Sequence, residues 1–140
     1  MASFNDRIIA TFRANKSVAG GPWQGKTLIL LHHTGRRSGR QYVTPALAAP
    51  DGTTYVICGT LGGAPHDPQW VANLEAATGP ATIALAGATV TADYEVVLPA
   101  DPRRPRQYGI WRDNRPKARE YERMTDRQFP VVRLRLRSSL

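Results

Sequence analysis

The sequence predicts a mainly β chain forming one domain over residues 1–140, with six strands in a mostly antiparallel barrel and helices on its outside. Three observations carry that reading. Short apolar runs alternate with strong turn signals, so neighbouring strands join as hairpins. The few stretches with helical spacing lie at the start, in the middle and just before the last strand, where they can cover a sheet. A chain of 140 residues, 41% of them hydrophobic, can bury one real core.

Each element follows from its residues. Phe4, Ile8, Ile9 and Phe12 lie at helical spacing behind Ser3, a capping residue, and predict a helix over about residues 3–16. Gly20-Gly21-Pro22 ends it. Residues 26–33 read as a buried strand and 40–49 as the next. Pro50-Asp51-Gly52 is a turn, so the strand Thr53–Cys58 forms a hairpin with its predecessor. Gly59–Pro65 is a glycine-rich loop. Asp67-Pro68 reads as a cap and first turn for a helix carrying Trp70, Val71 and Leu74, which Gly79-Pro80 stops. Strands Ala81–Leu85 and Thr89–Leu98 are joined by Ala86-Gly87-Ala88. Pro102–Arg112 and Pro116–Thr125 are predicted helices, and Phe129–Leu136 alternates as a final strand.

Charge is the compositional outlier. Nineteen basic residues against eleven acidic ones give a net charge of +8 and a pI near 10.4. That balance favours anionic partners: a phosphorylated cofactor, nucleic acid or an acidic membrane face. The single cysteine, Cys58, excludes an internal disulfide and points to a reducing, cytoplasmic setting. No run reaches the roughly 18 apolar residues of a membrane span. Ile8-Ile9-Ala10, interrupted by Arg13, is too short for a secretory core. Arg7, Arg13 and Lys16 beside the first apolar stripe allow at most peripheral membrane contact.

The most informative segment is Thr34-Gly35-Arg36-Arg37-Ser38-Gly39-Arg40. Two glycines permit a tight turn that aims backbone N–H groups at one point, and three arginines and two hydroxyls share it. Fixed donors, delocalised charge and little bulk make a phosphate cradle. The Gly59–Gly63 loop suits close approach of a flat ring to backbone, or a simple connection. His32 and His33 are adjacent on a strand and point to opposite faces, so they read as satisfied barrel histidines, not as ligands of one metal. His66 beside Asp67 reads as part of the helix start. No Cys/His cluster has zinc spacing and none is expected to bind metal. Cys58 has no base arranged beside it in sequence. Arg103, Arg104, Arg106, Arg112, Arg115, Lys117 and Arg119 form a basic cluster that reads as a solvated helix face or an attractor of anions.

Three blocks then come together in order. Leu31-His32-His33-Thr34-Gly35-Arg36-Arg37-Ser38-Gly39 with Thr44-Pro45 is the first. Gly62-Gly63-Ala64, Pro68, Trp70 and Asn73-Leu74 form the second, and Thr125-Asp126-Arg127 with Pro130 the third. The set, covering most of residues 26–136, resembles the signatures of the deazaflavin-dependent nitroreductase family, the class A flavin/deazaflavin oxidoreductases of actinobacteria and relatives. The resemblance implies a six-stranded split barrel close to the flavin mononucleotide-binding barrels. It implies coenzyme F420, an 8-hydroxy-5-deazaflavin with a phosphodiester and an oligoglutamate tail. It also implies a reductase that passes hydride to a small-molecule acceptor: a quinone, a nitroaromatic or an activated enone.

Carried over residue by residue, Arg36 and Arg37 match the basic pair on the phosphate and acidic tail, and Ser38 the hydroxyl beside them. Val43, Thr44, Pro45, Ala46 and Leu47 match the segment running along the cofactor. Cys58, Gly59, Thr60 and Leu61 match the stretch facing the ring, Trp70 and Asn73 the helix residues closing over it, and Tyr121 a tyrosine on the substrate side. The chain departs from the family pattern at Tyr42 and Leu61, where basic residues are common, and at Arg115 and Ala118, where tyrosines are. Arg115 is thereby available to an acidic or carbonyl-bearing substrate. The same barrel and cradle would also suit flavin mononucleotide. A basic nucleic-acid-binding barrel without catalysis is the other alternative, disfavoured by the scarcity of strand aromatics beyond Tyr42 and Tyr55. The expected species is a monomer or weak homodimer without nucleic acid.

Overall fold

The computed structural model describes Arg7, Ile9 and Ala10 and residues 27–85 and 88–137. Arg7, Ile9 and Ala10 are helical, as the first apolar stripe predicts; the other residues of the predicted helix, and the predicted Ser3 cap, lie outside the described residues.

Among the described residues seven strands form one antiparallel sheet: β1 (Leu28–Thr34), β2 (Gln41–Leu47), β3 (Ala49–Asp51), β4 (Thr54–Cys58), β5 (Ala81–Leu85), β6 (Ala88–Val97) and β7 (Val131–Leu136). Their order is β2-β1-β5-β6-β7-β4-β3. The extra strand comes from the stretch expected as one strand over 40–49. Its first half pairs with β1, from Leu28 opposite Leu47 to Thr34 opposite Gln41. Past Ala48 it leaves β1 and pairs with β4, Ala49 opposite Val56. The two edges of the sheet are therefore consecutive in the chain, and the sheet must curl into a half-barrel. β2 and β4 come close with no ladder between them, which leaves a seam.

Helix α1 (Gln69–Ala76) plugs the interior; α2 (Arg104–Asp113) and α3 (Ala118–Met124) lie outside. Inward residues of four strands, Ile29, Leu31, Ile57, Ile83, Val132 and Leu134, pack on Trp70, Val71 and Leu74 of α1. A second core sets Val56, Val97 and Val131 against Tyr108 and Trp111 of α2, Ala118 of α3 and Phe129. Leu28 and Leu30 on the other face of β1 meet Ile9, Val43 and Leu47, so β1 is apolar on both faces. The Tyr108 hydroxyl donates to Glu122 at 2.6 Å and Arg112 grips the same carboxylate through Nε and Nη2, which locks α2 to α3. No described helix is long and apolar enough to cross a membrane.

Two local expectations are corrected. Helix α1 starts after Pro68, and no side chain caps it; the Asp67 carboxylate pairs instead with Arg127, and His66 reaches no farther than the Asp67 carbonyl. The helix also ends at Ala76, ahead of Gly79-Pro80. Gly59, at the end of β4, is required by packing: a Cβ there would sit 2.8 Å from Val71 Cγ2 and 3.2 Å from Pro130 Cγ. Gly59→Ala is therefore expected to lower stability by about 1–3 kcal/mol through overpacking between α1 and β7. An unchanged thermal midpoint would contradict this.

Candidate active site

Two cavities adjoin the seam. The larger, about 340 Å³, is lined by Thr44–Leu47 of β2, Cys58 of β4, Thr60–Gly62, Pro68 and Trp70, with Trp111, Arg115 and Tyr121 closing the outer side. The other, about 290 Å³, is lined by His33, Gly35–Ser38, Tyr42, Gln69 and Asn73. β2 and α1 contribute to both: Tyr42 and Asn73 face the smaller, Thr44 and Trp70 the larger.

In the smaller cavity the hairpin between β1 and β2 supplies the cations. Gly39 adopts φ +72°, and Gly35 packs so closely that a Cβ would lie 2.6 Å from Ser38 Oγ. The backbone amides do not converge on a ligand as the two glycines suggest. The Gly35 N–H donates to Arg40 O, that of Gly39 to Gly35 O, that of Arg40 to Ser38 Oγ and that of Arg36 to Asn73 Oδ1. Four donors of the closed turn are thus taken up within the protein, so its anion-binding capacity rests on guanidinium groups. Arg36 Nη1 donates to Gln69 Oε1 at 2.8 Å and Asn73 Oδ1 at 3.0 Å. Both acceptors are neutral. Among the described residues no carboxylate pairs with Arg36, Arg37 or Arg40. An oriented, uncompensated positive charge is the result.

The larger cavity has mostly apolar walls. Thr60–Gly62 enter it as a single tight turn in which Leu61 (φ +46°) and Gly62 (φ +63°) are both left-handed. Leu61 is a non-glycine residue held in a costly conformation at the cavity mouth, 47% exposed. Arg127 holds this turn from behind: its guanidinium donates to the carbonyls of Gly59, Thr60 and Ala64 and pairs with Asp67. At the outer end Arg115 Nη2 donates to the Tyr121 hydroxyl at 3.0 Å. Because the phenol oxygen accepts this bond, its O–H can point into the cavity as a donor. Desolvation pushes the Cys58 thiol up, against the pull of Arg104 and Arg127, so it faces the cavity as a neutral thiol and not as a nucleophile.

Of the residues singled out in the sequence, Thr44, Pro45, Ala46, Leu47, Cys58, Thr60, Leu61, Trp70 and Tyr121 line the larger cavity, and Arg36, Arg37, Ser38 and Asn73 the smaller. Two line neither. Val43 points to the opposite face of β2, against Leu28 and Leu30, and Gly59 lies behind the wall against Val71. Period-two alternation already separates Val43 from Thr44 and Ala46. Gln69, Trp111 and the bracing role of Arg127 had no local signal in the sequence, and Tyr42 stood out there only as a departure from the family pattern.

A family model for F420H(2)-dependent quinone reductases matches residues 6–135. The chain belongs to the F420H(2)-dependent quinone reductase family. It is an oxidoreductase that uses coenzyme F420. An F420H(2)-dependent quinone reductase of Mycobacterium tuberculosis is 32% identical over 105 residues, 74% of this chain and 70% of that one. An F420-H2-dependent reductase of solved structure superposes with a TM-score of 0.65 at 21% identity, over 76% of this chain and 92% of that one. The haem storage protein HutZ of Vibrio cholerae superposes with a TM-score of 0.60 at 13% identity, over 94% of this chain and 92% of its own. At such identities these two likenesses speak for the split-barrel fold alone.

Both cavities fit a family cofactor with a flat ring and an anionic tail. One offers apolar walls and exposed backbone, and the adjoining one offers cations that no carboxylate among the described residues neutralises.

Proposed function

We propose that the larger cavity holds the deazaflavin ring of coenzyme F420, that the Arg36–Arg37 hairpin holds its phosphate and acidic tail, and that a quinone, nitroaromatic or activated enone is reduced at the Tyr121 end. The observation that carries this reading is the adjacency of an apolar seam cavity to arginines whose charge nothing neutralises among the described residues. When bound, the reduced cofactor supplies two electrons and a proton as hydride. The chain's own residues do the rest. Pro45, Leu47, Trp70 and Trp111 exclude water, and the β2 and Thr60–Gly62 backbones orient the ring. The Tyr121 hydroxyl, steadied by Arg115, donates to the acceptor oxygen on which negative charge develops.

Purified protein titrated with deazaflavin and with flavin mononucleotide, each in both redox states, tests the cofactor assignment. Quenching by the deazaflavin alone is expected; tight binding of flavin mononucleotide would overturn it. Oxidation of the reduced cofactor is then followed with quinones, enones and nitroaromatics as acceptors. Tyr121→Phe is expected to lower kcat/KM for the acceptor about two- to tenfold, the worth of one neutral hydrogen bond, with cofactor affinity intact. An unchanged kcat/KM would remove Tyr121 from the mechanism.

The nucleic-acid alternative finds little support in the basic cluster. Arg103 pairs with Asp101 and Glu95, Arg106 with Asp51, Arg112 with Glu122, and Arg104 donates to the Phe129 carbonyl. Most of that cluster is committed to holding α2 in place.

A further inference from the structure

A chain of hydrogen bonds runs from the arginine hairpin to the wall of the larger cavity. Asn73 Oδ1 accepts from the Arg36 backbone N–H at 3.1 Å and from Arg36 Nη1 at 3.0 Å. Both of those groups are donors under all conditions, so they decide which end of the Asn73 amide is oxygen. The amide nitrogen must then face His33, whose Nδ1 lies 3.0 Å away. A donor there requires an unprotonated Nδ1, so the network assigns His33 the Nε2–H tautomer. Nε2 lies 2.9 Å from Thr44 Oγ1 and donates to it. Burial, with the neighbouring His32, lowers the His33 pKa and keeps the ring neutral. Tyr42 stacks on the imidazole at 5.6 Å between centroids, which limits its rotation. A Thr44 hydroxyl that already accepts from His33 must send its own proton elsewhere. Thr44 lines the larger cavity, and among the described residues no acceptor takes that proton.

We propose that Arg36, Asn73 and His33 form a relay of positioning residues that presents the Thr44 hydroxyl as a hydrogen-bond donor to an acceptor atom of the bound deazaflavin ring. The proposal rests on the larger cavity being the ring site. The hairpin thereby acts twice, since the residue that attracts the anionic tail also sets, through two side chains, the polarity of the wall that meets the ring.

Two readouts test it. Nitrogen-15 spectra of the unliganded protein report the His33 tautomer, and Nε2–H is expected. Deazaflavin affinity, read by fluorescence quenching, is expected to fall about two- to tenfold in Thr44→Val and to hold in Thr44→Ser, which keeps the hydroxyl. Asn73→Asp retains both acceptors for Arg36 but removes the donor to His33. Above the pH at which its imidazole titrates in the same spectra, that variant should show Nδ1–H, with Nε2 accepting a hydrogen bond from the Thr44 hydroxyl; its affinity does not report on the relay, because the new carboxylate also neutralises Arg36. An Nδ1–H tautomer in the wild type, wild-type affinity in Thr44→Val, or a retained Nε2–H tautomer in Asn73→Asp would each overturn the relay. Absence of any quenching by the wild type would overturn the ring-site reading and the ring contact with it, while the unliganded spectra report separately on the hydrogen-bond chain.

Discussion

Replacing Arg36 with alanine is expected to weaken deazaflavin binding about ten- to a hundredfold, the worth of a charged hydrogen bond at roughly 1.5–3 kcal/mol. The size follows from how the guanidinium is held. Its two contacts, Gln69 Oε1 and Asn73 Oδ1, orient it without neutralising it. The ordering cost of a long side chain is thus met before an anion arrives, and the charge is still there to be used. Arg37→Ala is expected to act in the same direction through charge alone, because no described carboxylate or amide fixes Arg37. Arg36→Lys should fall between wild type and alanine: an ammonium keeps the charge but loses the planar fork that reaches α1 and the ligand together. Added salt should weaken wild-type binding and flatten the difference between wild type and Arg36→Ala. Titration of the reduced cofactor by fluorescence measures all of this. An alanine variant that binds like the wild type would mean that the anionic tail lies elsewhere.

Much of this was legible in the chain itself, for reasons of period and punctuation. The run Leu28–Leu31 is apolar at every position because both faces of β1 are covered, by the interior and by Ile9, Val43 and Leu47. Thr34–Arg40 announces its hairpin through glycine spacing. What escaped was decided by partners distant in sequence. Residues 40–49 read as one strand because nothing local marks Ala48; the bend exists because the curled sheet must join its own two edges there. Asp67 before Pro68 has the local form of a helix cap, yet Arg127, far along the chain, takes the carboxylate. The amides of the arginine hairpin looked open for an anion until Asn73 and Ser38 turned out to accept from them. A glycine at 59 suits close approach of a ring or a simple connection on local grounds, whereas its missing Cβ makes room for Val71.

Arg127→Ala is expected to be strongly damaging, lowering stability by about 3–5 kcal/mol and the thermal midpoint by about 10–20 °C. The guanidinium is 14% exposed and reaches three backbone carbonyls, Gly59 at 3.1 Å, Thr60 at 2.9 Å and Ala64 at 2.9 Å, besides the Asp67 carboxylate. It also lies over the Phe129 ring at 4.7 Å. These carbonyls belong to the turn that carries Leu61 at φ +46°, a conformation that persists when its surroundings over-determine it. Alanine would leave three half-buried acceptors without donors and Asp67 without its cation, and the turn would relax toward ordinary φ values. Because Thr60, Leu61 and Gly62 wall the larger cavity, cofactor affinity should fall along with stability, although Arg127 lines neither cavity. Arg127→Lys should rescue little, since one ammonium cannot span carbonyls gathered around a planar fork. Melting the unliganded variants separates the two effects, and titrating the deazaflavin well below the lowered midpoint reads the second. A variant that melts with the wild type would show that the turn holds its shape without the guanidinium, and the left-handed Leu61 would then need another cause.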